Sequence, residues 1–440
     1  MNKISISGNC VFPSGAHKAT IVIDLRLGLI EDVRGYTTTA DVVLTDCLLI
    51  FPGSVDIHIH NRESPCGKQN YKEDAETAGQ AAMSGGVVAT ASMPNLPTPP
   101  TTRGLYLDVL ALSEKCPITN IPYAAIAPGS RPFRLIGDQQ VPFKGFLAES
   151  VNNLKFTSEK EADGTLCHYS DEDVSLHCDD NDILAVCKNE LTHEKRRPAG
   201  SEEKAIRFAI AEHEKYRFGR LKIVHCSTAI GLAYIMGARF RGVKIFVEAT
   251  HHHVFADESI LTDENRTLWQ MNPPLRSPND REFILDALKH GEIDVLASDH
   301  APHTKEEKAL VEEEGKLLTK LNPGQKVLSG VPTLDTYGLF ATWLIVKKGF
   351  SAERVAEITS ENPGRWLNHF LPKTDENGRG FGKIEKGYIG SLTVLDFTPT
   401  TLTRQMLKTK CGWSPWEGYT FPGRVAYTII RGGIHRSIGF

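Results

Sequence analysis

The sequence predicts an α/β protein in which a parallel β/α barrel is joined to a small β domain. Three observations predict this fold. The 440 residues exceed what one small domain needs and suit a large barrel with an accessory domain. The centre of the chain alternates short apolar strands with helical stretches, as parallel βα units do. Polar residues of the metal-binding kind follow several of these strands, as at the carboxyl-terminal face of a barrel.

Both ends of the chain have the pattern of short strands separated by turns. The strand candidates are residues 3–6, 18–24, 42–49, 391–396 and 424–431. We therefore expect residues 1–50 and 372–440 to form one small β domain, and residues 51–371 to form the barrel.

The predicted elements of the central region alternate in type. Helices are expected over residues 74–84, 202–216 and 351–358, and strands over residues 87–93, 221–225, 243–247 and 293–297. The charge-rich residues 305–320 are expected to form a solvated helix or loop, with a mobile cover over the site as the alternative.

Composition and charge exclude several classes of protein. The chain is 40% hydrophobic and 24% charged, as ordinary globular proteins are, and its net charge of −4 favours neither nucleic acid nor an anionic membrane. No apolar stretch is long enough to span a bilayer, and the N-terminus lacks the apolar core of a signal peptide. Nine cysteines without a Cys-x-x-Cys pair indicate free thiols. We expect a cytoplasmic protein that acts on a small molecule.

The most informative segment is His58-Ile59-His60-Asn61-Arg62, directly after the apolar residues 48–53. Alternate residues of a strand point to one face, so His58 and His60 can aim at one point, with Arg62 next on that face. Two imidazoles suit a divalent metal, and a guanidinium suits a carboxylate. Alone, a His-x-His in a strand is more often structural than metal-binding. Further candidate ligands elsewhere in the chain are therefore needed to predict a metal site.

Three further polar residues follow predicted strands. His177, His225 and Asp299 each come after a short apolar segment. In a parallel barrel the carboxyl ends of the strands meet at one face, so these residues are candidates for the same metal site.

In these and several other motifs, the chain resembles the dihydroorotases of the amidohydrolase superfamily. The resemblance is carried by residues 58–62, 72–74, 93–95, 143–147, 272–276 and 297–303. The run Ser-Asp-His-Ala-Pro-His over residues 298–303 is its most specific part. The resemblance implies a distorted (β/α)8 barrel of the TIM type with a β domain formed by both chain ends.

The resemblance also implies two Zn²⁺ per chain, bridged by an N-carboxylated lysine and a hydroxide. The implied ligands are His58, His60 and Asp299 for one metal, His177 and His225 for the other, and Lys144 as the bridge. An ammonium repels metal ions, whereas its carbamate is an anion that can bridge two. The apolar neighbours of Lys144 predict its burial, which would be costly for an unpaired ammonium. A surface lysine and the acidic bridge of some bacterial relatives are the alternatives.

The implied reaction is the reversible hydrolysis of L-dihydroorotate to N-carbamoyl-L-aspartate in pyrimidine (UMP) biosynthesis. Two metals would lower the pKa of a shared water, and Asp299 would serve as general base and then general acid. Arg62, Asn95 and His303 would hold the substrate carboxylate, and Asn272 would contact the ring. Without the resemblance, the sequence would be interpreted differently: Asn95 as a turn residue and His303 as a loop histidine.

Departures from the family pattern leave alternatives open. The Arg is followed by residues 63–67, Glu-Ser-Pro-Cys-Gly, instead of Glu-Pro-Gly. Residues 251–253 are three histidines, for which we expect a structural or supporting role over a third metal site. Ser150 is a candidate for a loop that covers the substrate.

An allantoinase or a dihydropyrimidinase is the second candidate function, although allantoinase-like relatives carry Asn in place of Arg62. A non-catalytic relative is the third. A homodimer is compatible with the sequence, which leaves the oligomeric state open.

Overall fold

A computed structural model describes residues 2–148, 154–322 and 324–437, so Ser150 lies outside the described residues. The strands are β1 (Lys3–Phe12), β2 (Gly15–Asp24), β3 (Leu29–Gly35), β4 (Val42–Val43), β5 (Leu48–Pro52), β6 (Ser54–Ile59), β7 (Val87–Ser92), β8 (Thr119–Pro122), β9 (Ala124–Ile126), β10 (Phe143–Phe146), β11 (Asp173–His177), β12 (Arg220–Ile223), β13 (Ile245–Thr250), β14 (Val295–Ala297), β15 (Leu310–Glu313), β16 (Lys316–Thr319), β17 (Leu392–Asp396), β18 (Thr400–Thr401), β19 (Thr420–Phe421), β20 (Arg424–Ile430) and β21 (Gly433–Arg436). The α-helices are α1 (Ala75–Ser84), α2 (Arg103–Ser113), α3 (Glu159–Leu166), α4 (Asn181–Cys187), α5 (His193–Arg196), α6 (Ala199–Tyr216), α7 (Ala229–Phe240), α8 (His251–Phe255), α9 (Pro278–His290), α10 (Tyr337–Lys348), α11 (Ala352–Ala356) and α12 (Asn362–Leu367).

Strands from both ends of the chain form one sheet, in the order β21-β20-β17-β5-β1-β2-β3, with β4 beside β1. The antiparallel pairing of β17 with β5 joins the two ends directly, with Leu392 opposite Pro52. Ile6, Ile21 and Ile50 are fully buried and share a hydrophobic cluster with Val394. The predicted β domain therefore has a core of its own, because both chain ends contribute to it. Its exact boundaries stay a prediction.

The barrel consists of the parallel sheets β6-β7-β8 and β9 to β14. Strands β8 and β9 follow each other directly, and the backbone N–H of Tyr123 between them donates to Ser92. On the other side, the N–H of His60 donates to the carbonyl of His300 at 2.7 Å. These bonds close a ring of eight strands when β8 and β9 are counted as one. The predicted distorted (β/α)8 barrel is confirmed.

Helices begin where the sequence supplies capping side chains. The Asp74 carboxylate accepts from the backbone N–H of Thr77, and the Thr77 side chain accepts from the Asp74 N–H, which is a capping box at the start of α1. Helix α6 packs Ile206 and Ile210 into the same core as Val174 and Leu221 of the barrel strands. No helix among the described residues is both long enough and apolar enough to cross a membrane.

Two segments differ from their expected form. Residues 310–319 form an antiparallel hairpin, β15 with β16, instead of a solvated helix or open loop. Leu310 is buried in this hairpin, and the adjacent Lys308 donates to the carbonyl of Gln270 at 2.6 Å. The chain also leaves the β sheet after β17, and Trp413 donates to the backbone carbonyl of His303 at 2.7 Å. The C-terminal part of the chain therefore supports a loop of the barrel.

Candidate functional site

The six predicted ligands lie in or just after five of the barrel strands. They are His58 and His60 at β6, Lys144 in β10, His177 at the end of β11, His225 after β12 and Asp299 after β14. All six are buried. Parallel strands that point the same way bring these residues to one face of the barrel, as the sequence predicts.

The first part of the site is a compact cluster of two histidines and an aspartate. The Nε2 atoms of His58 and His60 each lie 3.1 Å from Oδ1 of Asp299. Ligand atoms of the three residues all lie within 4.8 Å of one another. They are the one such metal-type group among the described residues. Two imidazoles and a carboxylate in this arrangement fit a divalent metal such as zinc.

The second part of the site adjoins the first. Nδ1 of His177 lies 2.8 Å from Nε2 of His225, and the ring centroids of His58 and His225 are 5.4 Å apart. Lys144 is fully buried, and its Nζ lies 4.3 Å from the ring centroid of Phe146. Within the described chain its one hydrogen bond is to the backbone carbonyl of Gly145, at 3.2 Å. A buried amine that lacks an acidic partner fits a lysine that is modified to an anion.

His58 is held by buried charged groups behind it. Its Nδ1 lies 2.5 Å from Oε1 of Glu248, and the other carboxylate oxygen of Glu248 lies 3.2 Å from Nζ of Lys222. Lys222 also donates to the hydroxyl of Tyr123 at 2.7 Å. A carboxylate at Nδ1 orients the ring and leaves Nε2 towards Asp299, as ligating histidines require.

His60 and His177 are oriented in the same way. Nδ1 of His60 donates to Oδ1 of Asn95 at 2.7 Å, which leaves its Nε2 towards the cluster. Nε2 of His177 lies 3.3 Å from Oδ2 of Asp179, and Arg197 forms a short ion pair with the same oxygen. His177 therefore presents its Nδ1, so each ring offers one nitrogen to the centre.

The charges of the cluster favour a cation among these ligands. Burial alone would raise the pKa of Asp299, but His58 and His60 hold it well below its usual range. Burial would lower the pKa of His58, but Glu248 and Asp299 raise it to about 9. Both effects mean that a positive charge beside Asp299 is stabilised, whether a proton or a metal carries it. Burial lowers the pKa of Lys144 to about 7, so near neutral pH it has a substantial fraction of the free amine that carboxylation needs.

Three candidate residues have left-handed backbone conformations. Arg62, His225 and Asp299 have φ values of 55°, 39° and 44°. Residues other than glycine seldom adopt this region, at a cost of about 1–3 kcal/mol each, and such residues cluster at functional sites. All three follow a barrel strand, where a sharp change of direction turns the side chain towards the mouth of the barrel.

Arg62 is a buried cation without an acidic partner. It is 4% exposed, and its Nη2 lies 3.3 Å from Nε2 of His303. Its Nε has no hydrogen-bond partner, and no acidic side chain of the described chain forms an ion pair with it. A buried guanidinium in this state is costly unless an anion binds there. Burial lowers its pKa to about 10, so it stays charged near neutral pH.

His303 lies between Arg62 and a second buried cation, Lys72. Nζ of Lys72 is 3.2 Å from Nδ1 of His303 and 2.9 Å from Oε1 of Glu307. Asn272 contributes an acceptor, since its Oδ1 is buried and has no partner in the described ranges. The structure thus brings Arg62 and His303 together, and it places Asn95 against the ring of His60.

Several residues that contact the candidate site were not predicted from the sequence. Glu248 and Lys222 could have been noticed as lone charges in otherwise apolar strands. Lys72 lies in a motif that carries the resemblance, but the motif alone assigns it no task. Glu307 lies in a charge-rich segment where solvation is the ordinary expectation.

The three consecutive histidines have a structural environment. The His251 ring stacks on Phe340 with centroids 4.6 Å apart, and His253 bonds to Thr250 and to the carbonyl of Pro273. Within the described residues they join no metal-type group. The structural or supporting role of the three histidines stays a prediction.

Comparison of sequences finds relatives over almost the whole chain. A dihydroorotase from Acetivibrio thermocellus is 27% identical over 407 residues, which are 90% of this chain and 89% of its own. A dihydroorotase from Anaeromyxobacter dehalogenans is 28% identical over 442 residues, 97% of this chain and 96% of its own. No protein-family model matches. The resemblance to dihydroorotases that the motifs indicate is confirmed.

Comparison of structures finds hydantoinases and dihydropyrimidinases, whereas the sequence relatives are named dihydroorotases. An L-hydantoinase (dihydropyrimidinase) from Arthrobacter aurescens has a TM-score of 0.83 and 20% identity, covering 100% of this chain and 97% of its own. A dihydropyrimidinase from Brevibacillus agri has a TM-score of 0.77 and 20% identity, covering 98% and 94%. At this identity the likeness shows the fold, a barrel with a small β domain. The substrate has to be inferred from the residues of the site.

Proposed function

We propose that the protein is a metal-dependent cyclic amidohydrolase, and specifically a dihydroorotase. It would open the ring amide of L-dihydroorotate to N-carbamoyl-L-aspartate and close it in the reverse direction, in pyrimidine biosynthesis. The sequence relatives named dihydroorotase support this reaction class. The observation that supports this substrate is Arg62, two residues beyond His60, a buried guanidinium that forms no ion pair with any described residue.

The donor set fits a pair of zinc ions. His58, His60 and Asp299 would hold one ion, His177 and His225 the other, and Lys144 would bridge them as an N-carboxylated lysine. When bound, the two metals would lower the pKa of a shared water and polarise the amide carbonyl. His58, His60 and His177 each present one nitrogen already, because the other ring nitrogen is engaged by another side chain.

Asp299 would move the proton. Its carboxylate lies against Nε2 of His58 and of His60, at the point where the attacking water would lose a proton. Its pKa is held low, so Asp299 is ionised before the reaction, as a general base must be. It would then donate the proton to the ring nitrogen as the C–N bond breaks, so that water is added across the bond.

The carboxylate of the substrate would be held by three side chains. Arg62 supplies the charge, and the Asn95 amide nitrogen is available as a donor because its oxygen accepts from His60. Nε2 of His303 lies 3.3 Å from Nη2 of Arg62 and would be the third contact. Asn272 would contact the pyrimidine ring through its unpaired Oδ1.

A dihydropyrimidinase is the second candidate, favoured by the names of the structural neighbours. Its simplest substrate, dihydrouracil, lacks the ring carboxylate and would leave Arg62 buried without an ion pair to any described residue. That arrangement is unfavourable for a charged side chain. Arg62 therefore favours the carboxylate-bearing substrate. The cytoplasmic location and a homodimer stay predictions.

The test is metal analysis combined with turnover by the purified protein. We expect two metals per chain, hydrolysis of L-dihydroorotate, and ring closure of N-carbamoyl-L-aspartate in the reverse assay. Removal of metal with a chelator should abolish both directions, and added zinc should restore them. A fully metallated protein that turns over neither compound would refute the proposal.

A further inference from the structure

The ring of His303 has two competing neighbours at each nitrogen. At Nδ1, Nζ of Lys72 and Oε2 of Glu307 both lie 3.2 Å away. At Nε2, Nη2 of Arg62 lies 3.3 Å away and the carbonyl oxygen of Ser329 lies 3.2 Å away. Each nitrogen therefore faces one donor and one acceptor.

A neutral imidazole has one N–H, so its two tautomers use these neighbours differently. Burial, followed by the charges of Arg62 and Lys72, lowers the pKa of His303 to about 3 although Glu307 opposes the shift, and the ring is neutral at physiological pH. With the proton on Nδ1, the ring donates to Glu307 and accepts from Arg62. With the proton on Nε2, the ring accepts from Lys72 and donates to Ser329 or to a ligand.

We propose that Lys72 is a positioning residue that holds His303 in the Nε2–H tautomer when a substrate carboxylate binds. This inference rests on the proposed function, because it takes the carboxylate of that substrate as the ligand of Arg62 and His303. A carboxylate only accepts hydrogen bonds, so the nitrogen that faces it must carry the proton. The opposite nitrogen then has a lone pair, and Lys72 is the donor beside it.

Without Lys72 this tautomer is disfavoured. The lone pair at Nδ1 would face the carboxylate of Glu307, which is also an acceptor. His303 would then keep its proton on Nδ1 and present a lone pair to the substrate carboxylate. The expected result is weaker binding of carboxylate-bearing substrates, although Lys72 need not touch them.

Glu307 holds Lys72 in position to donate to Nδ1 of His303. Both carboxylate oxygens of Glu307 accept from Nζ of Lys72, at 2.9 and 3.2 Å. The hydroxyl of Tyr71 also donates to Glu307 in a short hydrogen bond. Lys72 itself is 2% exposed, so its ammonium has few other positions. The ion pair keeps the donor at the back of the His303 ring.

The test is a double-mutant cycle of Lys72→Met and His303→Ala, read as kcat/KM for dihydroorotate. In the wild-type background, Lys72→Met should lower kcat/KM about tenfold, the cost of one charge-assisted hydrogen bond, mainly through KM. In the His303→Ala background the same change should cost less than about twofold, since the ring through which Lys72 acts is absent. Lys305→Met is the matched control. Lys305 lies two residues beyond His303, pairs with the partly exposed Glu312, and should leave kcat/KM unchanged.

Equal losses from Lys72→Met in the two backgrounds would overturn the inference and assign Lys72 to direct contact with the substrate. Absence of dihydroorotate turnover by the wild-type protein would overturn the proposed function, and the inference with it. Metal content and the unfolding midpoint of each variant separate a local effect from loss of the fold. Lys72→Met should keep the metal content of the wild type, and the lower midpoint expected from the broken Lys72–Glu307 pair should be the same in both backgrounds.

Nitrogen NMR of ¹⁵N-histidine-labelled wild-type protein tests the tautomer directly and does not depend on the variants. The probe is orotate, which has the ring carboxylate but an aromatic ring in place of the reactive one. With orotate bound, the His303 spectrum should show a protonated Nε2 and an unprotonated Nδ1. A protonated Nδ1 in that complex would contradict the inference even if Lys72→Met failed to fold.

Discussion

Replacement of Arg62 by Met should separate recognition of the substrate from catalysis. Arg62 is buried, lies next to His303, and has no acidic partner in the described ranges. Met keeps the apolar stem and removes the donors. Because the change also removes an unpaired buried charge, the variant should unfold at no lower denaturant concentration than the wild type.

The magnitude follows from the lost interaction. A hydrogen bond to a charged group contributes about 1.5–3 kcal/mol. Since about 1.4 kcal/mol is a factor of ten, Arg62→Met should lower kcat/KM for dihydroorotate by roughly 10- to 150-fold. Any weak activity on dihydrouracil should change far less, because that ring has no carboxylate for Arg62 to bind.

The assay measures both substrates with both proteins at one pH and one metal loading. Arg103→Met is the control, because Arg103 is exposed in the first turn of α2, and it should leave both activities unchanged. Equal losses on the two substrates in Arg62→Met would refute the reasoning. They would mean that Arg62 supports the metal ligands or the fold, and the carboxylate argument would lose its physical basis.

Other predictions concern the metal centre. Lys144→Ala should lose at least one metal and most activity, with partial recovery in short carboxylic acids; two metals by elemental analysis with normal turnover would place the bridge elsewhere. Asp299→Asn should lower kcat by at least about 10²–10⁴, the usual worth of general acid–base help, and near-full turnover with both metals bound would remove its proton-transfer role. Glu248→Gln should weaken metal affinity by about 10–100-fold in a chelator competition, and unchanged affinity would show that the orientation of His58 does not depend on this carboxylate. In chelated protein, the His58 pKa of about 9, raised by Glu248 and Asp299 against burial from a usual 6.5, should contribute stability that is complete below pH 6.5 and is lost as the pH rises through 9. Urea unfolding across this range measures it, and a stability contribution from His58 that increases with pH would contradict that sign.

Much of the fold could be predicted because its signals are local. Asp74 marks the start of α1 by capping it, and the observed helix begins at the next residue. The alternating runs at both chain ends become β1, β2, β17 and β20 of one sheet. The hairpin of residues 310–319 was missed because its many charges outweigh the alternation of its few apolar residues. Its placement depends on distant partners such as Gln270.

The five histidine and aspartate candidates could be predicted because they lie at the end of a strand or just after one, and parallel strands bring their ends together, whereas Lys144 was indicated by the family resemblance. The charged residues that contact these candidates from behind could not be predicted. Glu248 meets His58 from a strand 190 positions away, and Glu307 meets Lys72 from 235 positions away. Such pairs follow from the closure of the barrel and from loop conformation, neither of which leaves a pattern in the local sequence. Asn95 was predicted as a carboxylate ligand, and the structure adds a hydrogen bond from His60 that fixes the orientation of its amide.

The most direct test of the proposed activity is a comparison of substrates on one zinc-loaded preparation. The measurement is kcat/KM for L-dihydroorotate, dihydrouracil and hydantoin at the same pH. The structure predicts at least a tenfold preference for L-dihydroorotate, because it alone of the three carries a carboxylate for Arg62, and one charge-assisted hydrogen bond is worth about that factor. Equal or greater kcat/KM on dihydrouracil or hydantoin would contradict the dihydroorotase assignment and favour the function named for the structural neighbours.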